Sequence, residues 1–236
     1  MLPFSADTAL ILFARRAEEE VHHKHLLPGQ TLKKQKTLFN HLNTKAEKTL
    51  KATKLPYYIF HKQDQVGDTF GQRLYTVIAA VFKFGYKNVL VIGNDCPALG
   101  TTAILKATGK ISQQNVVIGP TDKGGIYLLG INQDTFYKLD NLDDIRWQTA
   151  QVTHDLEKLF RVKSATIKWL KANTDLNQPV DLKRFVTSGY ATYNLRKIYY
   201  SSLNVKSARF THESFKFNYS FPAFSHLVFR GPPQLV

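Results

Sequence analysis

The chain predicts an α/β domain built as a three-layer sandwich. A mostly parallel central sheet is expected between two helical layers, with one antiparallel strand at its edge. Three observations carry this. Short apolar runs alternate with amphipathic helical stretches through the first two-thirds of the sequence, the pattern of successive β-α-β units. One run, Asn88-Val89-Leu90-Val91-Ile92, passes straight into Gly93-Asn94-Asp95 and reads as a strand buried on both faces. The 236 residues suffice for one sizeable α/β domain.

The elements follow in order. Residues 8–13 form the first apolar run. Residues 31–53 carry Leu32, Phe39, Leu42, Ala46 and Leu50 near helical spacing. Residues 56–61 are a short aromatic strand, and 69–84 a helix with Phe70, Leu74, Val77, Ile78, Val81 and Phe82 on one face. The strand at 88–92 precedes a weaker helix at 101–110. Runs at 116–118 and 126–131 are strands joined by Gly119-Pro120-Thr121-Asp122-Lys123-Gly124-Gly125. A helix at 150–160, a strand at 165–170 and a helix over 179–186, with Pro179 near its start, complete the pattern. The domain is expected to span residues 1–187. Residues 188–236 are rich in Tyr, Phe and Ser without clear periodicity and read as an extension packed on it.

Composition narrows the function. Hydrophobic residues make up 43%, enough to bury a core, so the chain is not disordered by composition. A single cysteine, Cys96, rules out an internal disulfide and fits a reducing compartment. No apolar run reaches membrane-spanning length and no signal peptide is evident, so a cytoplasmic protein is expected. The net charge of +14 favours anionic partners such as nucleotides or sugar phosphates. Lys45, Lys48, Lys51 and Lys54 recur at helical spacing and read as a solvated helix face. No nucleic-acid motif accompanies them, so nucleic acid is not the expected partner.

Four clusters carry candidate chemistry. Asp95 follows a buried strand, where open α/β sheets place ligand-binding groups; the alternative is an N-cap of the next helix. Gly67, Gly71 and Arg73 surround a helix start, where backbone N–H groups and a guanidinium attract phosphate. Gly124 and Gly125 permit a tight turn between strands. Asp175 and Asn177 offer oxygen ligands that could complete a cation site with Asp95, or cap the helix at Pro179. Cys96 reads as structural, with no cationic sequence neighbour to lower its pKa. His22, His23 and His25 lack matching Cys or carboxylate partners and read as a solvated loop.

Taken together these clusters resemble the bacterial DUF2064 family, grouped with nucleotide-diphospho-sugar transferases of GT-A type fold. The resemblance rests on Gly67, Gly71 and Arg73; on Gly93, Asp95, Cys96, Pro97 and Leu99; on Gly119-Pro120 with Gly124-Gly125-Ile126-Tyr127 and Gly130; on Trp147-Gln148-Thr149; and on Asp175, Asn177, Pro179, Asp181 and Leu182. It implies glycosyl transfer from a nucleotide-diphospho-sugar donor. Asp95 and Asp175 would hold Mg²⁺ or Mn²⁺, Arg15, Lys24 and Arg73 would meet phosphate oxygens, the Gly124-Gly125 turn would let the sugar approach, and Asp122 is the one local candidate for a base. A nucleotidyltransferase and a non-catalytic nucleotide- or partner-binding member are the alternatives.

The departures from the family pattern bear on that reading. The family's first loop is rich in Pro and Gly, whereas here it reads Arg15-Arg16-Ala17-Glu18-Glu19-Glu20 and onward to Lys24. Lys123 replaces an acid, with Asp122 one place earlier, and Asn177 replaces another. Fewer carboxylates mean weaker affinity for a hard cation. Nucleotide binding is therefore expected to be weak or metal-independent, with Lys123 taking part of the metal's electrostatic role.

Overall fold

The structure, a computed structural model, describes residues 7–203. Its six strands are β1 (Thr8–Phe13), β2 (Tyr57–Phe60), β3 (Asn88–Ile92), β4 (Asn115–Pro120), β5 (Ile126–Asn132) and β6 (Thr166–Trp169). They form one sheet in the order β2-β1-β3-β5-β4-β6. β1 pairs in parallel with β2 and β3, and β4 with β6, while β5 runs antiparallel to both of its neighbours. The antiparallel strand is thus interior rather than at the edge expected from the sequence. The connection from β4 to β5 is short enough for a hairpin, and β5 then fills the position beside β3. Burial explains how it fits there: six of the seven residues of β5 are buried, as a strand covered on both faces requires.

The helices are α1 (Ala17–Glu20), α2 (Leu32–Lys51), α3 (Phe70–Phe82), α4 (Thr101–Thr108), α5 (Gln133–Phe136), α6 (Val152–Val162), α7 (Pro179–Thr187) and α8 (Tyr193–Ser202). Alternating strand residues divide between two cores, as strand side chains must. Ala9, Ile11, Val89, Val91, Leu129 and Ile131 face α3, α5 and α6 through Ile78, Phe82, Phe136 and Phe160. Leu10, Leu12, Leu90, Ile92 and Val117 face the other side, against Leu50 of α2 and Ile104 and Ala107 of α4. A third cluster joins α1, α2, α7 and α8 through Ala17, Leu38, Leu42, Leu182 and Leu195.

Helix α2 is a good example of caps and packing acting together. The Thr31 hydroxyl accepts from Lys34 N–H at its start, and Leu38, Phe39, Leu42 and Leu50 form the buried stripe. Leu32, expected on that stripe, is 53% exposed because it sits in the first turn, beyond the reach of the core. Lys48, Lys51 and Lys54 are exposed, as the solvated face requires, whereas Lys45 is half-buried.

α8 lies within the stretch read as aperiodic. Thr192 caps it, and Leu195 and Tyr199 bury against the third cluster. The remainder of the expected extension, residues 204–236, lies outside the described residues. Among the described residues no helix is long and apolar enough to cross a membrane.

Candidate active site

The C-terminal ends of β1, β3 and β4 and the start of β5 share one edge of the sheet, and a cleft of about 590 Å³ opens there. This is the edge where open α/β sheets bind ligands. Backbone and side-chain ties hold its loops in place. Asn43 of α2 donates to the Arg15 carbonyl at 3.1 Å and accepts from Asn94 at 2.5 Å, fixing the loops after β1 and β3 to one helix. The segment after β6 crosses the turn between β4 and β5. There Asp122 N–H donates to the Asn173 carbonyl and Asn173 N–H to the Pro120 carbonyl, each at 3.1 Å. It then reaches the loop after β3, where Leu176 N–H donates to the Asp95 carbonyl at 2.8 Å. That bond draws Asp175 to Asp95, two residues 80 positions apart in sequence.

Arg15, Glu20, Lys24 and Asp95 form one connected group in the cleft. Lys24 Nζ lies 3.1 Å from Asp95 Oδ2 and 3.7 Å from Glu20 Oε1. Arg15 Nη1 reaches Glu20 Oε2 at 3.4 Å. Burial alone would lower the Lys24 pKa, but the charges of Asp95 and Glu20 outweigh it and raise the value, so Lys24 stays protonated. The Asp175 pKa is raised, first by burial and then by the Asp95 charge. Asp175 Oδ2 accepts from Asn177 Nδ2 at 2.5 Å, while its buried Oδ1 has no hydrogen-bond partner among the described residues. Arg15, Lys24, Lys62, Arg73 and Lys123 line the cleft, against the carboxylates of Glu20, Asp95 and Asp175.

Of the expected site residues, Asp95, Asp175, Arg15, Lys24, Arg73, Lys123 and Gly125 line this cleft. Four others do different work. Asp122 is not among the lining residues; its Oδ2 accepts from Thr174 Oγ1 at 2.6 Å and fastens the crossing segment. Gly71 lets α3 pack on the chain at Leu142, since a Cβ there would strike the Leu142 carbonyl. Gly67, at φ +137°, brings its backbone against Gln72 and Arg73. The Arg73 guanidinium in turn donates to the Gly67 and Asp68 carbonyls at 3.4 and 2.9 Å. Gly124, at φ +81°, lets the turn between β4 and β5 lie against the Ala150 carbonyl.

Lys123 is already paired with an acid. Its Nζ bonds both oxygens of Asp181, at 2.7 and 2.6 Å. Asp181 Oδ2 also accepts from the N–H groups of Asn177 and Gln178, at 3.1 and 2.8 Å, and so caps α7. The expectation that Lys123 would stand in for a metal therefore meets a lysine already neutralised by a buried partner.

Sequence reasoning missed Glu20 as part of the site. Its burial at 4% exposure beside two cations is tertiary, and the sequence shows only one of three successive glutamates. It also missed the apolar wall of Phe13, Phe70 and Trp147, whose rings pack at centroid distances of 5.4 Å (Phe13–Phe70) and 5.0 Å (Phe70–Trp147). His22, His23 and His25 are exposed, in keeping with a solvated loop. Cys96 is buried, and burial followed by the Asp95 charge pushes its thiol up to about 12. Alkylation of Cys96 at neutral pH is therefore expected to be far slower than that of a small free thiol. Rapid labelling in native buffer would contradict the structural role.

The family model of DUF2064, described as "Uncharacterized protein conserved in bacteria", matches residues 33–149. That span contains the Gly67-to-Arg73 helix start, Asp95, and the Gly124-Gly125 turn, and it shows the family resemblance drawn from those motifs. No curated protein matches the sequence. A crystal structure from Desulfovibrio desulfuricans G20, provisionally named a nucleotide-diphospho-sugar transferase, is 21% identical. It covers 84% of this chain and 96% of its own, with a TM-score of 0.69, and so shares the fold. A nucleotidyl transferase from Methanothermobacter thermautotroptrophicus is 15% identical over 75% of this chain and 95% of its own. Its TM-score is 0.41.

Proposed function

For this DUF2064-type chain we propose a nucleotide-sugar-dependent glycosyltransferase. In this reading the cleft binds the diphosphate of a nucleotide-activated sugar. The observation that carries it is the juxtaposition of Arg15, Lys24, Asp95 and Asp175 at the ligand-binding edge of this fold. In the reaction the bond between the sugar's anomeric carbon and the diphosphate oxygen breaks. A bond to an acceptor oxygen forms, the acceptor's proton passes to a base, and a nucleoside diphosphate leaves. Arg15 and Lys24 meet the charge that grows on that leaving group, and Gly125 presents backbone without a side chain to the bound sugar. Asp122, expected as the base, is tied to Thr174 away from the cleft lining, so the base is left to another group or to water.

Mg²⁺ or Mn²⁺ on Asp95 and Asp175 is the cofactor that the resemblance implies. The residues fit a resident divalent ion poorly. A hard cation seeks six or more oxygen ligands. Here one oxygen of Asp95 carries the Lys24 ammonium, one oxygen of Asp175 carries the Asn177 amide, and Asp181 is taken by Lys123. Among the described residues no three His, Cys, Asp or Glu side chains are grouped to hold a metal.

A thermal-shift screen of nucleotides and nucleotide sugars, with and without Mn²⁺, tests the reading, because a ligand selective for the native state raises apparent stability. Product analysis then separates the alternatives. Release of a nucleoside diphosphate supports glycosyl transfer, and release of pyrophosphate indicates nucleotidyl transfer. Binding without either product marks a non-catalytic member, a reading that the two lysine–aspartate pairs at Asp95 and Asp181 favour.

A further inference from the structure

We infer that Lys24 is the resident cation of the Asp95–Asp175 pair, holding by its ammonium the place a divalent metal would take, so that this cleft accepts a nucleoside diphosphate without metal. The inference rests on the nucleotide-binding reading above. Three observations carry it beyond that reading.

The first is the position of the ammonium. Lys24 Nζ is 3.1 Å from Asp95 Oδ2, with Glu20 on its other side at 3.7 Å. The main chain at Lys24 is fixed by its N–H donating to the Glu20 carbonyl at 2.9 Å, and the ammonium is held by Asp95 and by Glu20, which is itself buried and shared with Arg15. Glu20 therefore acts as a positioning residue that aims both cations into the cleft.

The second is the fate of the other acid that could enlarge the site. Asp181 has both oxygens on Lys123 and caps α7, so it cannot turn toward Asp175 without leaving two N–H groups unpaired. The acid that the family pattern places at position 177 is Asn here, and its amide donates to Asp175.

The third is the imbalance left behind. Among the described residues Asp175 Oδ1 is buried without a partner, so with Lys24 on Asp95 the Asp175 carboxylate keeps an unmet demand for a donor. A cation entering there competes with Lys24 for Asp95, because two positive charges a few ångströms apart repel. The bound diphosphate instead finds an ammonium in place, flanked by Arg15, and the ligand gains charge-assisted hydrogen bonds that need no metal.

Mn²⁺ titration followed by electron paramagnetic resonance, on wild type, Lys24→Met, Lys24→Arg and the double variant Lys24→Met/Asp95→Asn, tests the inference in the absence of any nucleotide. Lys24→Met should bind Mn²⁺ about tenfold more tightly than wild type, since removing the ammonium frees Asp95. Lys24→Arg should not gain, and the double variant should lose the gain. In parallel, calorimetry with UDP, GDP, CDP, ADP and dTDP in chelator should show wild-type affinity unchanged by the chelator, and an affinity about tenfold lower for Lys24→Met. Thermal midpoints of each variant establish that it is folded, with Lys24→Gln as the substitute if Lys24→Met is not. Mn²⁺ affinity unaltered by the loss of Lys24 overturns the inference whatever the nucleotides do. So does wild-type diphosphate binding that requires Mn²⁺. If no nucleoside diphosphate binds any form, the functional reading fails, while the Mn²⁺ arm still decides the role of Lys24.

Discussion

Replacing Asp181 with Ala should lower stability by about 3 kcal/mol, or roughly 10 °C in Tm for a domain of this size. Asp181 is 1% exposed and accepts from Lys123 Nζ and from the N–H groups of Asn177 and Gln178. Its loss uncaps α7, which costs about 1 kcal/mol. It also strands the Lys123 ammonium, whose partial exposure keeps the total near the low end of the range for broken buried pairs. The pH dependence has a definite sign. Burial would raise the Asp181 pKa, but the Lys123 and backbone hydrogen bonds outweigh it and the folded value lies below the ordinary one. A depressed acid stabilises the fold above its unfolded pKa and loses that contribution as pH falls through the folded value. The gap between wild type and Asp181→Asn should therefore be widest near neutrality and narrow below about pH 4. Urea unfolding of both proteins across pH measures it, and a gap that widens on acidification would contradict the pairing.

Gly124→Ala should cost a further large amount, about 3 kcal/mol. The position has φ +81°, where an L-residue pays about 1 kcal/mol, and the new Cβ would meet the Ala150 carbonyl, which is backbone and cannot rotate away. Relief requires the 146–153 loop to retreat, weakening the 3.0 Å bond from Thr153 N–H to the Gly124 carbonyl. Gly29→Ala is the matched control: φ is +69° there, but nothing lies near the added carbon. Denaturation of both variants isolates the close approach, and equal losses at the two sites would show that only backbone conformation matters.

The regular framework was legible in the sequence because its signals are local. β3 falls on Asn88–Ile92 as expected, and Thr31 and Thr69 cap α2 and α3 at the expected starts. The position of β5 in the sheet was not legible: an apolar run says that a strand is buried, not which neighbours it lies between. Asp95 and Asp175 could be paired because both acids follow strands, and the Leu176-to-Asp95 backbone bond supplies the physical reason. The partners of the lysines were hidden. Lys24 and Asp95 are 71 residues apart, and Lys123 and Asp181 58, and nothing local marks either pair. Glycines carried a similar ambiguity. Gly67 and Gly71 read as a phosphate-attracting helix start and Gly124 as a turn glycine, whereas the backbone that Gly71 and Gly124 pack against, at Leu142 and Ala150, is distant in sequence.

Hydrogen exchange with and without saturating nucleotide and nucleotide-sugar mixtures tests the placement of the ligand site most directly. Binding in the cleft should slow exchange in the loop after β1 (residues 14–24), the loop after β3 (93–96), the turn between β4 and β5 (121–125) and the segment at 175–178, because these carry the lining residues. No protection with any ligand in the mixtures, or protection confined to the exposed lysine face of α2 with these four segments unchanged, would contradict the account.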